Sequence, residues 1–342
     1  MFEKMKSDLE ATMQANNVPF ASFGVTDACA TRMHAHIGSV GDVALDDTHI
    51  FRIASMTKPI VTLATLQLVA GGDLRLDQPM KEILPELGEV QVVSRKGDEL
   101  VFAPLARDIT LHHLLTHTSG YAYDFHAEMI AELVAQEKIA GLASDNDAFL
   151  AAPLIFQPGE NWEYGINIDW AGKIVEKVSG VDLNEYVKAN ILRPLGMENT
   201  SFSINDLSAD ALVPLGLRDD DGNFSDVSEL MPNVTDGPYL GGGGLYSNVG
   251  DYMKFMRMVL QNGQGPDSEI LPSGMVRDMF ANQIGDMQVG YMPSQNPMLA
   301  KSHGWFEDNS MKWGYGLMVN ETEVAGRRSA GAGAWSGLYN TF

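Results

Sequence analysis

Ser55 and Lys58 lie three residues apart in "FRIASMTKPI" (51–60), just ahead of the charge-free run Ile60–Val69. A helix apolar nearly all round is a buried one. Gly71-Gly72 supplies its stop. Pro59 is tolerable in the first turn, where backbone N–H groups lack helical partners. A serine hydroxyl at a helix start sits at the positive end of the dipole, which favours developing negative charge. A lysine one turn later, on the same face and desolvated, loses proton affinity and becomes a base. The competing reading is a serine N-cap followed by a lysine whose stem reaches out to water. Ser-x-x-Lys alone recurs by chance about once in a chain of this length.

The elements that must position this pair read as follows. "MFEKMKSDLEATMQANN" spaces Phe2, Met5, Leu9 and Met13 along one face of an amphipathic helix. "PFASFGVT" and "RMHAHIGSV" read as strands, and "HIFRIAS" runs into the Ser55 helix. "LDQPMKEILPEL" reads as a short helix, and "VQVVSRKGDELVFAPL" as a hairpin around Lys96-Gly97-Asp98. Residues 109–196 carry helical periodicity. "GGGGLYSNVGDYMKFMRMVLQNG" is a glycine loop feeding a helix over 249–261. Residues 284–313 form a long loop, of a length that suggests a place at a site. "YGLMVN", "GRRSAGAGA" and "SGLYNTF" read as strands.

The chain has 342 residues, enough for one large domain or two interleaved ones. Its 45 acidic against 23 basic residues give a net charge of −22, which argues against nucleic acid or an anionic membrane surface as a partner. Cys29 is the sole cysteine, so an internal disulfide is excluded. No apolar run reaches the length of a membrane span, and the first residues lack a signal core, so the cytoplasm is the expected location.

Other chemistry is weakly signalled. His34 and His36 share one strand face, but without a carboxylate or cysteine pattern beside them no metal site is expected. His113 and His117, at i and i+4, lack the glutamate of a zinc-protease motif. Gly241–Gly244 is followed by no Gly-Lys-Ser/Thr, so it is not a phosphate loop. No Gly-x-Ser-x-Gly elbow is present. Trp305, Trp313 and Trp335 read first as packing, and second as walls of an apolar acyl pocket.

"LLTHTSG" (114–120), "PGENWEYGINIDWAGKIVEKVSG" (158–180) and "GGGGLYSNVGDYMKFM" (241–256) follow the Ser55 helix in order. With "LDQP", "GYGL" and "GAWSG", they make residues 15–342 resemble the serine β-lactamase and penicillin-binding-protein superfamily, and within it the class C-like family VIII carboxylesterases. The resemblance implies an α/β (α+β), β-lactamase-like fold: an antiparallel sheet flanked by helices, with a large helical subdomain inserted. Residues 1–54 and 245–342 would form the α/β subdomain and 55–244 the mainly helical one, with the site between them. Members of that superfamily continue through a further strand and a long terminal helix after the stretch matched by the last residues here.

By the same resemblance Ser55 matches the acylated nucleophile, Lys58 its partner and Tyr164 the tyrosine of the second motif. Trp335-Ser336-Gly337 matches the third motif. The backbone N–H groups of Ser55 and Leu338 would form the oxyanion hole. A phenolate-capable Tyr164 beside a cationic Lys58 could accept the Ser55 proton. Ile166 stands where β-lactamases carry an amide-binding asparagine, and Trp335 where they carry a lysine. Both departures favour esters over β-lactams. The implied activity is hydrolysis of short-chain, fairly apolar carboxylic esters through an acyl-enzyme, with no cofactor and no metal. The alternatives are a β-lactamase or D-amino-acid amide or peptide hydrolase, an acyltransferase, and a non-catalytic binder of acyl ligands.

Overall fold

A computed structural model describes residues 2–144, 146–219, 222–306, 311–338 and 341–342. Helix α1 (Phe2–Ala15) buries Met13 and leaves Phe2 and Met5 exposed. Strands β1 (Phe20–Thr26) and β2 (Thr31–Val40) pair antiparallel, and β3 (Val43–Ala44) folds back on the end of β2. The chain then passes through β4 (Phe51–Arg52) into α2 (Thr57–Gly71). Strands β5 (Gln91–Lys96) and β6 (Glu99–Pro104) form the expected hairpin, closing with Lys96 opposite Glu99.

Helices α3 (Leu111–Leu115), α4 (Glu128–Ala135), α5 (Asn167–Ser179), α6 (Leu183–Val187) and the single turn α7 (Arg193–Leu195) follow. After the small hairpin of β7 (Gly216–Arg218) and β8 (Phe224–Asp226), β9 (Tyr246–Ser247) pairs antiparallel with β4. Helix α8 (Val249–Leu260) packs on β1, and α9 (Ser273–Met279) precedes the antiparallel sheet β10 (Met311–Trp313), β11 (Met318–Asn320) and β12 (Gly333–Ala334). The result is an α/β architecture of antiparallel sheets flanked by helices.

Helix α2 is the centre of the core. Every residue from Thr57 to Leu66 is buried, and the helix packs along α5. Each fully buried Ile, Val or Leu on it contributes about 1.5–3 kcal/mol relative to exposure. Gly72 ends it in the left-handed conformation at φ 84°.

Three expectations are revised. Ser55 does not start the helix as a cap: it lies in a 3-10 turn, Ala54–Met56, and α2 begins at Thr57. The helical reading of 109–196 holds only in pieces. Thr116, His117, Thr118 and Ser119 are all buried and hydrogen-bonded through their side chains, which compete with the helix ladder. His117 itself sits at φ 58°, beyond the end of α3, so it does not share a helix face with His113. Finally, "LDQPMKEILPEL" forms two 3-10 turns, Met80–Glu82 and Pro85–Gly88, because prolines stand at the start of each. In the long loop, residues 307–310 lie outside the described residues, and Met292 bridges His303 across it.

Candidate active site

The turn before α2 presents Ser55. Ala54, directly ahead of it, is held at φ 44°, a strained setting for a residue with a Cβ. The third-motif segment clamps this turn from outside. Thr341 donates from Oγ1 to the Ile53 carbonyl at 3.1 Å. Gly337 packs so closely that an added Cβ would lie 2.6 Å from that same oxygen and 3.0 Å from Ala54 Cβ. Only glycine fits there.

Lys58 is fully buried and lies behind Ser55. Its ammonium donates to Ser55 Oγ at 3.0 Å, to the Tyr123 phenolic oxygen at 3.0 Å and to the Gly242 carbonyl at 2.6 Å. All three donors of the side chain are therefore used. Burial pushes the Lys58 amine down to about 7, against the opposing pull of the Asp169 carboxylate. The lysine thus titrates near neutrality.

Tyr164 stands on the other side of the lysine, with Lys58 Nζ 4.7 Å from its ring centroid. The Trp335 indole N–H donates to its hydroxyl at 3.0 Å. Burial lifts the Tyr164 phenol above its ordinary range, and hydrogen bonds from Ser55 and Trp335 oppose that lift. The phenol is the resting form.

Tyr123 and Asp169 are components that the motif reading did not pick out. Tyr123 lies three residues past Gly120 of "LLTHTSG" and packs at 5.2 Å, ring to ring, on Tyr164. Asp169 belongs to the first turn of α5 and is fully buried; desolvation raises its carboxyl above the usual range. Its Oδ1 accepts from the Gly242 N–H at 2.8 Å. A Cβ on Gly242 would fall 2.2 Å from Asp169 Oδ2, which explains the glycine in "GGGG". The signals in the sequence were a tyrosine three residues past Gly120 and an acid in the first turn of the helix that follows "WEYGIN".

The remaining candidates are placed as follows. His117 is buried and held neutral by desolvation, its Nδ1 accepting from Asn167 and Gly165. Its carbonyl accepts from the Glu163 N–H, so it braces the loop that carries Tyr164. Ile166 is buried at the start of α5 and lines a small cavity beneath Tyr123 with Ala122, Gly141 and Leu142. Ser336 and Leu338 are half-buried beside Gly337. Trp313 is core, fully buried and bonded to the Leu115 carbonyl. Trp305 and Trp335 pack together at 5.6 Å, and His303 meets Trp305 edge-on at 5.3 Å. These rings make an apolar wall next to Tyr164.

A serine hydroxyl against a buried amine of tuned basicity, two phenols and an indole N–H is an arrangement whose chemistry suits nucleophilic attack with a proton path. Among the described residues, none of these side chains belongs to a cluster of three or more His, Cys, Asp or Glu at metal-ligand spacing.

Known proteins resemble this chain in sequence and fold. The lovastatin esterase of Penicillium rubens is 33% identical over 313 residues, covering 80% of this chain and 76% of its own. The monacolin J acid methylbutanoyltransferase of Aspergillus terreus is 30% identical over 292 residues, covering 82% of this chain; this chain spans 65% of that relative's length. The LovD6 mutant of simvastatin synthase from Aspergillus terreus superposes with a TM-score of 0.78 at 27% identity, over 97% of this chain and 85% of that one. EstCE1, a hydrolase with promiscuous acyltransferase activity, superposes with a TM-score of 0.77 at 19% identity, over 99% of this chain and 88% of its own, a likeness of fold. The fold is β-lactamase-like, and the Beta-lactamase family model matches residues 5–342. The chain belongs to the beta-lactamase family.

Proposed function

We propose that the protein is a serine carboxylesterase of the family VIII type, acting on short-chain, fairly apolar esters through an acyl-enzyme on Ser55. The observation that carries this reading is the hydrogen bond between Ser55 and a fully buried Lys58 whose amine titrates near 7. With Lys58 neutral, the direction of that bond reverses and the Ser55 O–H donates to Nζ. Ser55 Oγ attacks the ester carbonyl while its proton passes to Lys58. The oxyanion is received by the backbone N–H groups of Ser55 and Leu338. Collapse breaks the bond to the alcohol, which leaves with the proton returned by Lys58 through Tyr164. Water then repeats the sequence on the acyl-enzyme and frees the acid. In this scheme Lys58 is the base and Tyr164 the proton relay, because burial disfavours the tyrosinate.

The choice of esters over β-lactams rests on Trp335 and Ile166. A β-lactam carries a carboxylate and an amide side chain, and leaving such groups unpaired costs about 1–3 kcal/mol each, more for a charge. Trp335 is apolar towards substrate and spends its N–H on Tyr164. Acetyl to hexanoyl esters need neither anchor. The test is kcat/KM for p-nitrophenyl butyrate and for a cephalosporin on one preparation. The ester is expected to win by a wide margin, and parity would overturn the reading.

A second reading, acyl transfer to an alcohol, is favoured by the likeness to the methylbutanoyltransferase. It uses the same acyl-enzyme and differs in the acceptor. Adding an alcohol during p-nitrophenyl butyrate turnover and measuring the new ester against free butyrate separates the two.

A further inference from the structure

His34 and His36 project from the same face of β2, and their rings lie 4.5 Å apart. The short return through β3 brings Asp47 to them. Asp47 Oδ1 lies 3.1 Å from His34 Nδ1 and 2.9 Å from His36 Nε2. The three ligand-type atoms all fall within 4.8 Å of one another. We propose that His34, His36 and Asp47 form a binding site for a divalent transition-metal ion of the zinc class, completed by water.

The geometry is close to what such an ion needs. Ligand bonds of about 2.0–2.1 Å in a tetrahedron put ligand atoms roughly 3.4 Å apart. Asp47, whose side chain is 74% exposed, would withdraw by a few tenths of an ångström, and the two imidazole nitrogens, within 4.8 Å of each other, would settle to that same spacing. Two imidazoles and one carboxylate select zinc-like ions over calcium or magnesium, which take oxygen ligands.

The surroundings fix the donors. Ser22 Oγ on β1 meets His36 Nδ1 at 3.0 Å; with Nδ1–H donating to that oxygen, the Nε2 lone pair would be available to an ion that replaces the Nε2–Asp47 hydrogen bond. The His34 ring sits against Gly250 in the first turn of α8. Asn248, the N-cap of α8, donates to the Asp47 carbonyl at 2.8 Å and holds the loop in place. The ion ties the loop that carries β3 and Asp47 to β2, and that loop runs on into β4 and the Ser55 turn. Its role is a structural clip, separate from the ester chemistry.

The test is calorimetric titration of Zn2+ into the metal-stripped full chain, with Co2+ as a spectroscopic probe. One equivalent is expected to bind, with Co2+ giving the intense visible bands of a four-coordinate site and Ca2+ failing to compete. His36→Ala and Asp47→Ala should each lose about tenfold or more in affinity, and Ser22→Ala about tenfold. Zn2+ should raise the Tm of the native chain but not of Asp47→Ala, an exposed position whose change leaves the core untouched. Hydrolysis of p-nitrophenyl butyrate should be unchanged in these variants. Absence of Zn2+ binding in the native chain, or binding that Asp47→Ala and His36→Ala leave intact, overturns the proposal.

Discussion

Asp169 and Lys58 are joined through a single residue: the Gly242 N–H donates to the Asp169 carboxylate at 2.8 Å, and the Gly242 carbonyl accepts from the Lys58 amine at 2.6 Å. The glycine loop is thereby a polarised bridge between a buried acid and a buried base. The acid favours the charged amine and burial disfavours it, and burial is the larger influence.

That balance predicts a pH profile. A base must be deprotonated to act, so kcat/KM for an ester should rise with pH through a limb near 7. Asp169→Asn removes the charge that raises the Lys58 pKa, so the limb should move to lower pH. A limb that stays in place, or moves up, shows that Asp169 does not act on Lys58.

Ser55→Ala should reduce ester hydrolysis to background. No side-chain capping bond is lost, because neither the 3-10 turn nor α2 has one. The stability cost is confined to the bonds with Lys58 and Tyr164, about 1 kcal/mol each. Turnover and thermal unfolding measured on one sample check this. A folded variant with near-native turnover would falsify the nucleophile assignment.

Tyr164→Phe should lower kcat by roughly a hundredfold or more with little change in KM, as expected for a proton-transfer group. Lys58→Ala should do the same. The double variant should lose little beyond either single change, since the two residues serve one proton path. Additive losses across the cycle would separate them.

Trp335→Phe keeps an aromatic wall and deletes the N–H that donates to Tyr164. One neutral hydrogen bond is about 1 kcal/mol, or roughly fivefold. The loss should fall on kcat, with KM for short esters nearly unchanged. A rise in KM alone would assign Trp335 to substrate binding only.

Some of this was legible in the order of residues. Ser55 and Lys58 are three apart, and one turn of backbone is enough to put their side chains together. The β5–β6 hairpin is likewise local, set by Gly97 at φ 62° between two alternating runs. The burial of α2 followed from its lack of charge. Tyr164 was singled out by its motif as a candidate, and its resting phenol form depends on how deeply the fold buries it.

What only the tertiary structure decided are the contacts between distant segments. Tyr123 lies 65 residues from Lys58 and Gly242 lies 184, and no periodicity links such positions. Asp169 read as one acid on a helix until the glycine loop closed over it. His34 and His36 lacked a carboxylate in the strand, and the chain reversal through β3 supplied Asp47. Local geometry fixes a side chain's direction over one turn or one strand step. The company it keeps beyond that is set by which faces the core brings into contact.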